Sequence, residues 1–138
     1  EIFFTVLYRS PSFSANTLEF QDFVQNFRSL HSKIIDEKPF ATFFTGDFNA
    51  HSQLWWSDGD TNPEGSELEE LFSSLCLSQI ISEPTNSTPN KRPSCIDIIV
   101  TDQPNMILNS STLPSLDSFC YRYCPLQNKF SDAFTSSL

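Results

Sequence analysis

Apolar residues recur along this chain in two rhythms. The opening stretch EIFFTVLYRS is β-branched and aromatic and stops at Pro11, which predicts a strand over Ile2–Arg9. After the loop SPSFSAN, Asn16 stands three residues before Glu19, the spacing of a helix start. Phe20, Phe23, Val24, Phe27, Leu30, His31, Ile34 and Ile35 then follow at steps of three and four. That is one apolar face of an amphipathic helix over about Thr17–Asp36. His31 lies on the face and is expected to pack there rather than bind a ligand. Pro39 closes the segment, and FATFFT predicts a second strand.

Residues 46 to 65 break both rhythms with Gly46, Asp58, Gly59, Asp60, Asn62, Pro63 and Gly65. So long a polar loop is uncommon unless it carries function. SELEELFSSLCL restores helical spacing through Leu68, Leu71, Phe72 and Leu75. SQIIS reads as a short strand, EPTNSTPNKRPS as a turn-rich loop and CIDIIVTD as a further strand. Beyond Asp102 the pattern fades, and no internal repeat is visible. Strands alternating with helices predict a layered α/β fold.

Composition narrows the function classes. The 138 residues suit one domain or part of a larger one, and 38% apolar with 18% charged residues is a globular balance. The net charge of −9 argues against strong non-specific affinity for nucleic acid, which needs basic surface. It leaves room for an enzyme that bridges carboxylates to phosphate through a metal. No apolar run approaches a membrane span and no secretory leader pattern is visible, so a nuclear or cytoplasmic, non-secreted location is expected. A start at Glu1 rather than Met fits a piece of something longer. Cys76, Cys95, Cys120 and Cys124 match no zinc spacing and are too few for a disulfide framework, which points to a reducing compartment.

Three constellations could carry chemistry. Asp47 and Asn49 follow the second strand; if that strand runs on through Gly46, they share a face while Phe48 packs on the other. A carboxylate can take a proton from water or hold a metal, and an amide can donate to a phosphate oxygen. The same residues also make a common Gly-Asp-x-Asn turn. Asp97 sits inside the apolar run Ile96, Ile98, Ile99 and Val100, an expensive place for a carboxylate unless it is paired, hydrogen-bonded or metal-bound. Its alternative place is the solvent face of an edge strand. Tyr8 and Arg9 close the first strand as possible phosphate donors, or as an interfacial phenol beside a solvated guanidinium. His51 is a further candidate phosphate donor. Trp55 and Trp56 could stack on bases, although one of them is expected to plug the core. Glu64, Glu67, Glu69 and Glu70 read as a solvated helix face.

Taken in order, LYRSPS, TGDFNAHSQLWW, EGSELEELFSSLCLSQIISEPT and SCIDIIVTDQPN resemble the endonuclease domain of a non-LTR retrotransposon. That domain is of the apurinic-endonuclease-like type, in the endonuclease/exonuclease/phosphatase superfamily. The resemblance implies a four-layered α/β sandwich, of which this chain would be the later part, over 1–119. It implies phosphodiester hydrolysis with Mg²⁺ (or Mn²⁺), DNA as substrate and a reverse transcriptase domain in the full-length element. Asp47 would activate the attacking water. Asn49 would hold phosphate and water, and the two would be the metal ligands. Tyr8 would contact the scissile phosphate, and Asp97 would orient a histidine. Arg9 and His51 would contact substrate.

Two departures qualify that picture. The family's early asparagine and metal-binding glutamate have no counterpart after Glu1. Its closing histidine is missing where PSLDSFC leads into YRYCPLQNKF. A frameshift near Cys120 would explain a divergent tail over 120–138, since the shifted frame permits a strand-like string. The chain alone is therefore expected to nick DNA at no measurable rate and to bind it weakly. A non-catalytic remnant with binding surface only, or a superfamily hydrolase acting on phospholipid or soluble phosphate esters, are the competing readings.

Overall fold

The computed structural model describes residues 1–57, 59–87 and 90–112. The proposed tail over 120–138 lies outside them. The elements are β1 (Ile2–Tyr8), α1 (Leu18–Asp36), β2 (Ala41–Asp47), α2 (Pro63–Ser74), β3 (Ser78–Gln79) and β4 (Asp97–Thr101), then a 3₁₀ turn at Pro104–Met106. The expected mixed α/β class holds.

The boundaries move for reasons of capping. Thr17, not Asn16, starts α1: its hydroxyl accepts the Phe20 N–H at 3.3 Å, closing one of the orphan donors of the first turn. α2 begins three residues before SELEEL. Asn62 Oδ1 accepts the Gly65 N–H at 2.8 Å, and Pro63 takes the first helical position, where its missing donor is no loss. The polar loop therefore shortens to 48–62.

The strands form one sheet in the order β1-β2-β4-β3. β1 runs parallel to β2, as the intervening helix allows, and the other pairs are antiparallel. Side chains alternate across the sheet, so the register sorts them into two faces. Phe44 belongs to the helix-covered face: its ring lies 4.7 Å from Phe27 of α1, and Phe27 lies 5.7 Å from Phe72 of α2. Phe48 joins them, 5.9 Å from Phe72 and 6.2 Å from Phe23. On the other face Phe43 and Ile99 are also buried, with Phe4 stacked 4.8 Å from Phe43. There β1 stands in the open, with Phe4, Val6 and Tyr8 at 56%, 74% and 66% exposure. Among the described residues it is an edge strand, without a charge, a proline or a glycine.

Candidate active site

The site grows from the register. Tyr8 pairs with Asp47, and Asp47 pairs with Asp97, so three candidate side chains form one row across β1, β2 and β4 on the face opposite the helices. Gly46 lets the two parallel strands close at this end. Its φ is +149°, and a Cβ there would sit 1.8 Å from the Leu7 carbonyl oxygen.

β2 stops at Asp47. Asp47 Oδ1 accepts the Asn49 N–H at 2.9 Å, and Asn49 takes a left-handed φ of +46°. Phe48 is fully buried, as expected, but Asn49 is reached by a turn rather than by continued alternation. Turn and site are thus the same three residues. The Asn49 amide donates to the Arg9 carbonyl at 2.8 Å, which fixes the side chain and leaves Oδ1 as an acceptor. Burial pushes the Asp47 carboxyl up; the Asn49 hydrogen bonds and the Arg9 charge oppose that rise.

Arg9 corrects the expectation of a phosphate donor. Its side chain is buried at 1% exposure. Nε donates to the Phe48 carbonyl, Nη1 to those of Ser10 and Phe13, and Nη2 to that of Asn49. The guanidinium also lies 5.6 Å from the Phe20 ring. A side chain so engaged holds the 48–49 turn against β1 and α1. It positions the site without facing solvent.

Asp97 is not on an edge: β4 lies between β2 and β3, with Cys95 and Ile99 buried on either side of it. Its carboxyl is pushed up to about 6, chiefly by burial, with the Thr85 hydroxyl opposing and the Asp47 charge adding. Its Oδ2 is buried and makes no hydrogen bond. Thr85 is the residue the sequence reading missed. Its hydroxyl accepts the N–H groups of Ile96 and Asp97 at 3.2 and 3.0 Å, tying the 83–87 loop to the start of β4. Thr85 ends the EPT of the resemblance, but that motif assigns it no role.

The remaining candidates separate. Tyr8 is exposed at the end of the row. His51 lines an open cavity of about 230 Å³ together with Trp56, Asn62 and Arg92. Trp55 is buried against Phe72, with ring centres 6.2 Å apart, and is the tryptophan that fills the core. His31 packs 6.0 Å from Phe44, on the face opposite the row, with Nε2 buried and unpaired. Burial lowers its pKa, and Asp102 opposes the shift. The acidic run is not wholly solvated: Glu64 Oε1 accepts the Ala15 N–H at 2.8 Å, and Glu69 Oε1 is buried without a partner.

The donor set suits a hard divalent cation. Mg²⁺ needs one or two carboxylates and keeps several waters, and a cation would relieve the repulsion between Asp47 and Asp97. Among the described residues no third His, Cys, Asp or Glu joins that pair.

A family model described as endonuclease–reverse transcriptase matches residues 2–118. The endonuclease domain of TRAS1, a telomere-specific non-LTR retrotransposon, superposes with a TM-score of 0.66 at 19% identity, covering 83% of this chain and 50% of that one. The chain thus spans half the length of that solved structure, and at this identity the likeness shows the fold. No curated protein matches.

Proposed function

The chain belongs to the endonuclease–reverse transcriptase family, and on that premise we propose that its row of Tyr8, Asp47 and Asp97, with Asn49, is part of a DNA-nicking phosphodiesterase site. The observation that carries this reading is the cross-strand row itself. Two carboxylates on adjacent strands beside an exposed phenol are costly as structure and useful as chemistry.

In this reading Asp47 and Asn49 hold Mg²⁺, which when bound neutralises charge on the phosphate. Asp47 takes the proton from the attacking water. The water oxygen bonds to phosphorus, the bond from phosphorus to the leaving sugar oxygen breaks, and that oxygen takes its proton from solvent. The Tyr8 hydroxyl donates to a phosphate oxygen. Asp97 would orient an imidazole; neither His31 nor His51 hydrogen-bonds its free Oδ2. The chain alone is therefore expected to nick DNA below detection, since losing one acid–base partner costs on the order of a hundredfold or more.

Two measurements test the two parts. Mn²⁺ titrated against the folded chain should broaden the amide resonances of Asp47, Asn49 and Asp97 selectively, and Asp47→Asn should abolish the effect. Uniform broadening, or none, would sink the site. A Mg²⁺-dependent nick in supercoiled plasmid that vanishes in Asp47→Ala would instead overturn the inactivity of the isolated chain. The surrounding expectations are nuclear or cytoplasmic action, DNA as partner and a reverse transcriptase domain in the same element. No helix among the described residues is long and apolar enough to cross a membrane.

A further inference from the structure

The cavity behind His51 has no part in the row just described. It is lined by residues of the 48–62 loop together with Arg92, Pro93 and Ser94. At about 230 Å³ it is smaller than the ~300–1,000 Å³ typical of drug-sized ligands, so it suits one ring system rather than an extended molecule. Trp56 forms one wall. Gly59 lies beside it, and a Cβ added there would come to 3.4 Å from the indole Cε3, an ordinary contact with the ring.

The polar side is equally defined. Arg92 Nη1 donates to Asp60 Oδ2 at 3.0 Å, with the two side chains 61% and 84% exposed. An ion pair so exposed is worth little. Lys91 precedes Arg92, a local basic step in an acidic chain. The frame is braced before any ligand arrives: His51 N–H donates to Asn62 Oδ1 at 3.0 Å, and Asn62 N–H donates back to the His51 carbonyl at 3.1 Å. Gly65 leaves no alternative, since its Cβ would fall 1.8 Å from that carbonyl oxygen. With Asn62 Oδ1 accepting two N–H groups, its amide donors remain for a ligand.

We propose that this cavity binds one unpaired nucleotide, the base stacked on Trp56 and its phosphate exchanged onto Arg92 in place of Asp60. An aromatic face paired with a guanidinium is the arrangement that holds single-stranded nucleic acid with little regard for sequence. The inference rests on the phosphodiesterase reading and adds a second contact on the strand that reading requires.

The probe is hexathymidylate, followed through the indole N–H resonances and the Arg92 side chain of the whole chain. Saturable shifts at Trp56 and Arg92, with Trp55 unmoved, are expected, and added salt should weaken them. Trp56→Leu and Arg92→Ser should each weaken binding about tenfold, in the range of one base–aromatic stack. Asp47→Asn should leave these shifts intact, so failure of the row and failure of the cavity read out separately. No shift at Trp56, equal binding by either variant, or inorganic phosphate or polyglutamate reproducing the Arg92 shift at the same concentration would overturn the proposal.

Discussion

The two faces of the sheet solve burial differently. Phe43 and Phe44 are adjacent on β2 and point to opposite sides, and both are at most 2% exposed. Phe44 is covered by α1, whose Phe27 and His31 lie against it. On its own face Phe43 meets the ring of Phe4, which is itself 56% exposed. The helix-covered face is thus closed by elements remote in sequence. The open face is closed on β2 and β4 but not on β1, and the row of Tyr8, Asp47 and Asp97 stands on that open face. The candidate site lies on the side that the helices leave uncovered, and the helix-packed core lies on the other.

The largest expected effect breaks this contrast most directly. Phe44→Ala should destabilise by about 3–5 kcal/mol, enough to approach the whole stability of an ordinary domain, whereas Phe4→Ala should cost about 1 kcal/mol. Urea melts of the two variants decide it; equal losses would show that the open face is as tightly packed as the other.

Next in size is a pH effect confined to the open face. Asp97 has a folded pKa of about 6 against an ordinary value of 3.8, so the folded state holds the proton more tightly. Stability from this group is present below pH ~4 and is lost as pH rises through about 6. Asp97→Asn removes that loss. Allowing for partial exposure, it should raise stability at pH 7 by about 1 kcal/mol, or about 2–5 °C in Tm, and leave it nearly unchanged at pH 4. A variant less stable than the parent at pH 7 would show that the carboxylate is held by a favourable partner.

The smallest effect concerns β1. Val6 is 74% exposed, and Val6→Lys should shift the melting free energy by less than about 0.5 kcal/mol. It should nevertheless suppress concentration-dependent light scattering, because charge on an edge strand discourages further pairing. Scattering unchanged by the lysine would place the sticky surface elsewhere.

These contrasts explain what could be read from the sequence. The α1 stripe and the apolar strands were legible because burial is written in local periodicity. Asp47 and Asp97 stand out as candidates because acids are conspicuous at the end of one strand and inside another. Arg9 was misjudged because nothing near it shows that carbonyls 39 and 40 residues away come to its guanidinium. Thr85 was invisible for the same reason: its hydroxyl acts on backbone 11 and 12 residues downstream. The cap of α1 was misplaced by one residue since Asn16 and Thr17 are equally good chemically, and only the backbone chooses between them. The cavity behind His51 depends on two loop segments meeting and has no signature in either alone.

The free edge of β1 also sets a race. To pair with β2, β1 must find it across the whole of α1, and the cost of closing that long connection slows the step. A second molecule needs no such closure and arrives at a rate that rises with concentration. The yield of folded protein on dilution from denaturant should then fall as the chain becomes more concentrated, with neither the final fold nor its melting point changed.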